Sequence, residues 1–213
     1  MDLSFIPFPK YIKPLLARDR RSIKMCLSLA LGSLIAGAII SILDPGAVIT
    51  VISFFSEISE VNSYPIFQAF PVSGENFIDR LVFLWKTNIL YEALIFLTLP
   101  GILRLSKIIL VAKYMFIGVL MPTIILNFIG LTPVIALVIA LEIIAFSLAA
   151  VAGDHLGIAL LTPHKLYGNE GRYNAFKHAI REMAKYYTLI IAILVVSSII
   201  ECTLAFALSS IFS

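Results

Sequence analysis

The chain has 213 residues, 60% hydrophobic and only 14% charged, with a mean hydropathy of +1.00. A soluble domain is about 45–50% apolar and about 25% charged, so both deviations point to lipid and leave no room for a separate soluble enzymatic domain. The net charge of +3 is carried in short basic stretches beside apolar runs, which excludes a polybasic nucleic-acid binder.

Residues 1–24 hold Lys10, Lys13, Arg18, Arg20, Arg21 and Lys24 against Asp2 and Asp19. Pro7, Pro9 and Pro14 predict irregular backbone in this part. The charge marks a basic cytoplasmic segment lying along anionic headgroups; a docking site for an anionic partner is the other reading. The first predicted span, 25–43, is about 19 residues long, too long for the core of a signal peptide. Ser28, Gly32, Ser33, Ala36 and Gly37 give it a stripe of small residues. Such a stripe favours close helix approach and permits a homodimer. Asp44-Pro45-Gly46 ends the span. Cys26 and Cys202 each fall within a predicted span, with neither metal nor disulfide-framework spacing, and read as small buried residues.

The region 44–79 carries Asp44, Glu57, Glu60, Glu75 and Asp79 and no Lys or Arg. Its apolar part, 47–58, is too short to cross a bilayer and is expected to lie at the interface or dip into the protein. Ser73-Gly74-Glu75 is the expected start of the next helix. Predicted span 2, 81–100, is unusually polar, with Lys86, Asn88 and Glu92. Pro100-Gly101 breaks it, and Arg104 and Lys107 mark a basic turn. Span 3, 108–128, has Lys113 near its start and Pro122 as an expected kink. Span 4, 133–161, follows a tight turn and carries Glu142 inside its apolar run; Thr162-Pro163 ends it.

Residues 164–186 hold Lys165, Arg172, Lys177, Arg181 and Lys185 against Glu170 and Glu182. Phe176, Ile180, Met183 and Tyr187 recur on one helical face. An amphipathic helix on the bilayer surface is expected over 172–187. Its basic face is also a candidate dock for a membrane or cytoplasmic protein partner. Span 5, 187–212, contains Glu201. The expected fold class is therefore all-α: a polytopic integral membrane helix bundle of about five transmembrane helices plus interfacial helices. After the 1–24 segment it forms a single transmembrane domain over 25–213. Five crossings put every basic segment on one face, which the positive-inside rule makes cytoplasmic, with the N-terminus inside and the C-terminus outside.

Depth follows from the α-helical rise of about 1.5 Å per residue. Counted from the span ends, Glu142 lies ~13 Å below the outer surface and Glu201 ~10 Å below it, while Asn88 is ~18 Å above the cytoplasmic side. These three fall in one layer, with Lys86 a little farther out. Glu92 and Lys113 are counted as a second, lower pair at ~12 and ~8 Å. Asp154 is expected to pair with Arg104 or Lys107 near the cytoplasmic ends. For Glu142, Glu201, Asn88 and Lys86 two readings are open: a polar site for a cation, a proton or a headgroup, or a set of contacts fixing helix register. Asp154-His155 with His164 fits no zinc motif. Nothing matches a phosphate loop, a nucleophile elbow or a zinc-protease helix, so no enzyme activity, cofactor or metal is expected.

Several pieces in order, over roughly 85–210, resemble the stage II sporulation protein M family. They are Asn88 with Pro100-Gly101 and Gly118; Glu142 followed by small residues, Gly153, Gly157 and Pro163; and Ile200-Glu201-Cys202. The sequence departs from the family pattern at Val138-Ile139, where His-Gly is frequent, and at Lys113-Tyr114, where Asn-Gly is frequent. The resemblance implies a permease-like protein of five or six spans. In sporulating bacteria the family member works with peptidoglycan-remodelling partners during engulfment, and relatives elsewhere are suspected to work with transport machinery. The expected function is a non-enzymatic scaffold or permease-like subunit of a membrane complex. The alternative is a stand-alone transporter or channel for a cation, proton or small polar solute.

Overall fold

The computed structural model describes residues 12–53, 76–168 and 171–212, and these are helical with no strand. In chain order the helices are α1 (Ile12–Arg18), α2 (Arg20–Leu43), α3 (46–53), α4 (Phe77–Trp85), α5 (Ser106–Asn127), α6 (Thr132–Leu161), α7 (His164–Tyr167) and α8 (Arg172–Phe212). Between α4 and α5 the chain continues as a π-helical segment, Lys86–Thr98, and a 3₁₀ turn, Leu99–Leu103. Five segments are long and apolar enough to cross a membrane: Arg20–Leu43, Phe77–Leu103, Ser106–Asn127, Ile129–Leu161 and Arg172–Ala207. Each overlaps one of the predicted spans, and the architecture is that of a multi-pass membrane helix bundle.

Local chemistry accounts for several boundaries. Pro14 lies in the first turn of α1, where a missing N–H has no intrahelical acceptor to lose; the irregular backbone expected there gives way to helix at Ile12. Asn76 caps α4 by accepting a hydrogen bond from the Asp79 backbone N–H at 2.9 Å, the usual N-cap device. The expected start at Ser73-Gly74-Glu75 lies outside the described residues, as does 54–58 of the short apolar segment. Residues 46–53 of that segment are helical. Pro122 sits inside α5 without ending it.

α6 is the axis of the bundle. Every residue from Ala145 to Gly157 is buried, and α8, the π segment with its 3₁₀ turn, α2 and α5 all pack on it. Alanine, serine and glycine all round this stretch let backbones approach from several sides, which is how helices gain packing where lipid offers no hydrophobic drive. The closest approach is at the 3₁₀ turn. A Cβ on Gly101 would lie 2.3 Å from the Gly153 carbonyl carbon, and one on Gly157 would lie 2.3 Å from the Gly101 oxygen. α2 meets α5 the same way: a Cβ on Gly37 would lie 2.2 Å from Met115 O, and one on Gly118 would lie 2.2 Å from Leu34 O. The predicted small-residue stripe of α2 is thus consumed within the chain at Ser33 and Gly37, which are buried. Gly32 faces open space.

α8 departs from the expected surface helix followed by a separate span. It is one continuous helix of 41 residues, about 60 Å long against a core of about 30 Å. Its first turns pack on the end of α6, in a cluster formed by Leu156, Ala159, Ala175 and Ala179 with Phe176 and Met183 at its edge. Ile180, expected on the apolar face, is 42% exposed. The buried face is turned toward Ala175, Ala179 and Tyr186, because small alanines allow closer approach than the larger residues that define the periodic stripe.

Candidate functional site

Two groups of charged side chains lie inside the bundle. The first is in the membrane-spanning layer, at the meeting of α4, the π segment, α5, α6 and α8. Glu92 on the π segment forms an ion pair with Lys113 on α5. The Lys113 ammonium also lies 3.5 Å from the centre of the Phe146 ring on α6, a cation–π contact. Glu142 on α6 is within electrostatic reach of Lys113, Glu92 and Glu201. Glu201 on α8 interacts in turn with Glu92, Lys113, Asn88 and Arg80. Asn88 is buried and donates to Ser198 Oγ at 3.3 Å.

Depth counting separated a Glu142–Glu201–Asn88 layer from a lower Glu92–Lys113 pair. The fold joins them. The 13-residue π segment, hydrogen-bonded from i to i+5, turns Asn88 and Glu92 about the axis away from their α-helical positions. Thr98 shows the same spacing, with its hydroxyl donating to Ala93 O at 2.9 Å. π-Helical turns are rare, and single-turn π-bulges are frequent at functional sites.

Lys86, counted with this layer in the sequence, is exposed and stands 5.9 Å from the Tyr91 ring. Arg80 takes the inner position instead; it is buried on α4, 5.2 Å from the Phe83 ring. Helical spacing carried that signal, because Arg80 and Asn88 are eight residues apart and share a face through Leu84. Tyr114, fully buried, also belongs to the layer, facing Glu142 and Glu92. Its hydroxyl and Glu201 Oε2 are buried and make no hydrogen bond among the described residues.

The second group was not recognised in the sequence. It lies where α1, α6, α7 and α8 converge. Arg18 forks onto Glu182, with Nη1–Oε1 at 2.5 Å and Nη2–Oε2 at 3.0 Å. It also donates to Asp19 through Nε at 3.1 Å and Nη2 at 3.0 Å. Tyr186 donates to Asp19 Oδ2 at 2.5 Å, and Tyr167 to Glu182 Oε2 at 3.0 Å. His155 sits between the carboxylates, with Nε2 3.4 Å from Asp19 and Nδ1 3.4 Å from Glu182. Burial opposes ionisation of Asp19, but His155, Arg18 and Tyr186 outweigh it and hold the carboxyl well below its usual range. The available signal was Asp19, an acid at the centre of a basic run, together with Glu182 four positions before Tyr186.

Beside this cluster Lys107, not Arg104, forms the ion pair with Asp154. Arg104 has a left-handed backbone, φ 62°, at the end of the 3₁₀ turn. That conformation carries its side chain to Thr162 Oγ1, to which Nη2 donates at 2.9 Å. Among the described residues no group of three or more His, Cys, Asp or Glu stands close enough to hold a metal ion. No family model, curated protein or solved structure matches this chain.

Proposed function

We propose that this chain is a non-enzymatic, permease-like or scaffold subunit of a membrane complex, with its basic ends cytoplasmic and its C-terminus outside. One observation carries the reading: the intramembrane charges are only partly covered by the chain's own helices. The Glu92 and Lys113 side chains keep 17% and 19% of their surface, and Glu142 and Glu201 are half-buried. Charged groups at membrane depth normally face a protein interior or a wet cavity. A partner helix closing this side of the bundle meets that requirement.

Contacts among the basic segments support the orientation. Arg18 reaches Glu182, Arg104 reaches Thr162 and Lys107 reaches Asp154. Together they gather the N-terminal segment, the 101–107 turn and the 164–186 region at one end, as the positive-inside rule requires of cytoplasmic segments. Five spans, together with Asn88, Glu142 and Glu201 in one layer, also suit membership of the stage II sporulation protein M family, which we propose on those residues.

The test is mild-detergent purification from native membranes followed by reconstitution. A membrane partner is expected to co-purify, and the chain alone is expected to give no solute flux in liposomes. Isolation without a partner together with flux from the chain alone would replace this reading with that of a stand-alone transporter. Isolation without a partner and without flux would remove both.

A further inference from the structure

The intramembrane layer does not balance its charges. Among the described residues it contains three carboxyls, Glu92, Glu142 and Glu201, and two fixed cations, Lys113 and Arg80. Lys86 is exposed beside Tyr91 and does not enter the sum. One uncompensated negative charge at this depth is costly. A second observation points to the same place. The Tyr114 hydroxyl is fully buried within electrostatic reach of Glu142 and Glu92 and has no hydrogen-bond partner among the described residues, and Glu201 Oε2 is equally unpartnered. Buried polar atoms are nearly always hydrogen-bonded, so these two are placed to bond a further species.

Among the described residues no three carboxyls of the layer stand close enough together to hold a metal ion. A proton needs only one carboxylate oxygen and one acceptor nearby. We propose that the layer formed by Glu92, Glu142 and Glu201 binds a single exchangeable proton, which leaves these helices without net charge at membrane depth. The proton adds to a carboxylate oxygen with no bond broken. Glu92 remains paired with Lys113, Glu201 lies within the field of Arg80, and the Tyr114 hydroxyl donates to the neutralised group or accepts from it.

This inference rests on the membrane reading of the five helices and on neither the partner nor the flux. Infrared difference spectroscopy of the full chain in lipid nanodiscs tests it. At neutral pH wild type should show the carbonyl stretch of one protonated carboxylic acid, sensitive to exchange into D2O and lost on alkaline titration. Glu142→Gln and Glu201→Gln each leave two carboxyls facing two cations, so the band should vanish in at least one of them. Lys113→Gln leaves three carboxyls facing one cation and should double the band, a gain that a misfolded chain would not produce. Absence of the band in wild type overturns the proposal, as does a band unchanged in all three variants. Sodium titration at fixed pH should leave the band intact; loss with sodium would assign the charge to that ion and overturn the proton. A missing band with a co-purifying partner removes the proton site alone. A band present with neither partner nor flux removes the functional reading alone.

Discussion

The two charged clusters of this protein differ in what they leave unsatisfied. In the cluster around His155, Asp19 and Glu182 receive Arg18, both tyrosine hydroxyls and the His155 ring. Each carboxylate meets several donors, and the groups come from four helices. The membrane layer holds more carboxyls than cations and leaves a tyrosine hydroxyl and a carboxylate oxygen without partners among the described residues. A cluster whose carboxylates each meet several donors acts as a clamp, because removing one member strands others. A cluster with surplus charge and idle polar atoms is arranged to receive something. Tight packing thus sits at the ends of the helices and the chemically receptive part at mid-depth.

The sharpest way to break the comparison is Asp19→Ala. It leaves the Tyr186 hydroxyl and the His155 ring without the carboxylate they meet at a buried position (Asp19 is 6% exposed), and each buried donor left unsatisfied costs about 1–3 kcal/mol, more when charged. Thermal unfolding in detergent should show a large drop in midpoint. Next is Gly101→Ala at the joint that sets the π segment against α6. The added methyl would meet Gly153 backbone at 2.3 Å, and overpacking of this kind costs about 1–3 kcal/mol. Because this joint also sets the register of Glu92 against Glu142, the variant should alter both clusters where Asp19→Ala alters one.

Acid should act on the cluster around His155. The Asp19 carboxyl is held below its usual range, so the native state binds fewer protons than the unfolded chain. Its stabilisation is full above the ordinary carboxyl value of about 3.9 and is lost as pH falls below that. Unfolding midpoints followed from pH 6 downward should decline in wild type. A decline equally steep in Asp19→Asn would show that this group is not its source. The membrane layer predicts a smaller effect. Glu201→Gln replaces a carboxyl with a neutral group of the same shape, and in a layer with one carboxyl in excess it should change stability by less than about 1 kcal/mol. A loss as large as that of Asp19→Ala would erase the contrast between the clusters and make the layer a second clamp. Smallest of all, Lys86→Ala should change stability by no more than about 0.5 kcal/mol, as expected of an exposed side chain.

The fold was legible because what defines a spanning helix is local. Apolar length and the placement of Pro and Gly located all five spans to within a few residues, except that α8 runs unbroken through its amphipathic part. The candidate layer was partly legible for a similar reason. Depth accumulates along a helix, so Asn88, Glu142 and Glu201 could be set at one level by counting. What counting could not supply was the π repeat of Lys86–Thr98, which nothing in its composition announces.

What the sequence by itself determined about this protein is its all-helical membrane class and the five segments long and apolar enough to cross a bilayer. Both depend on residues near one another in the chain. The tertiary structure decided the azimuth of each helix and the choice among chemically equivalent partners. It placed Arg80 rather than Lys86 beside Glu201 and Lys107 rather than Arg104 on Asp154. It turned Gly37 toward α5, and it brought Glu182 to Arg18 and Tyr186 to Asp19 across 164 and 167 positions. Such pairings depend on how helices rotate to bring their small residues into contact, and the period of one helix does not carry that information about another.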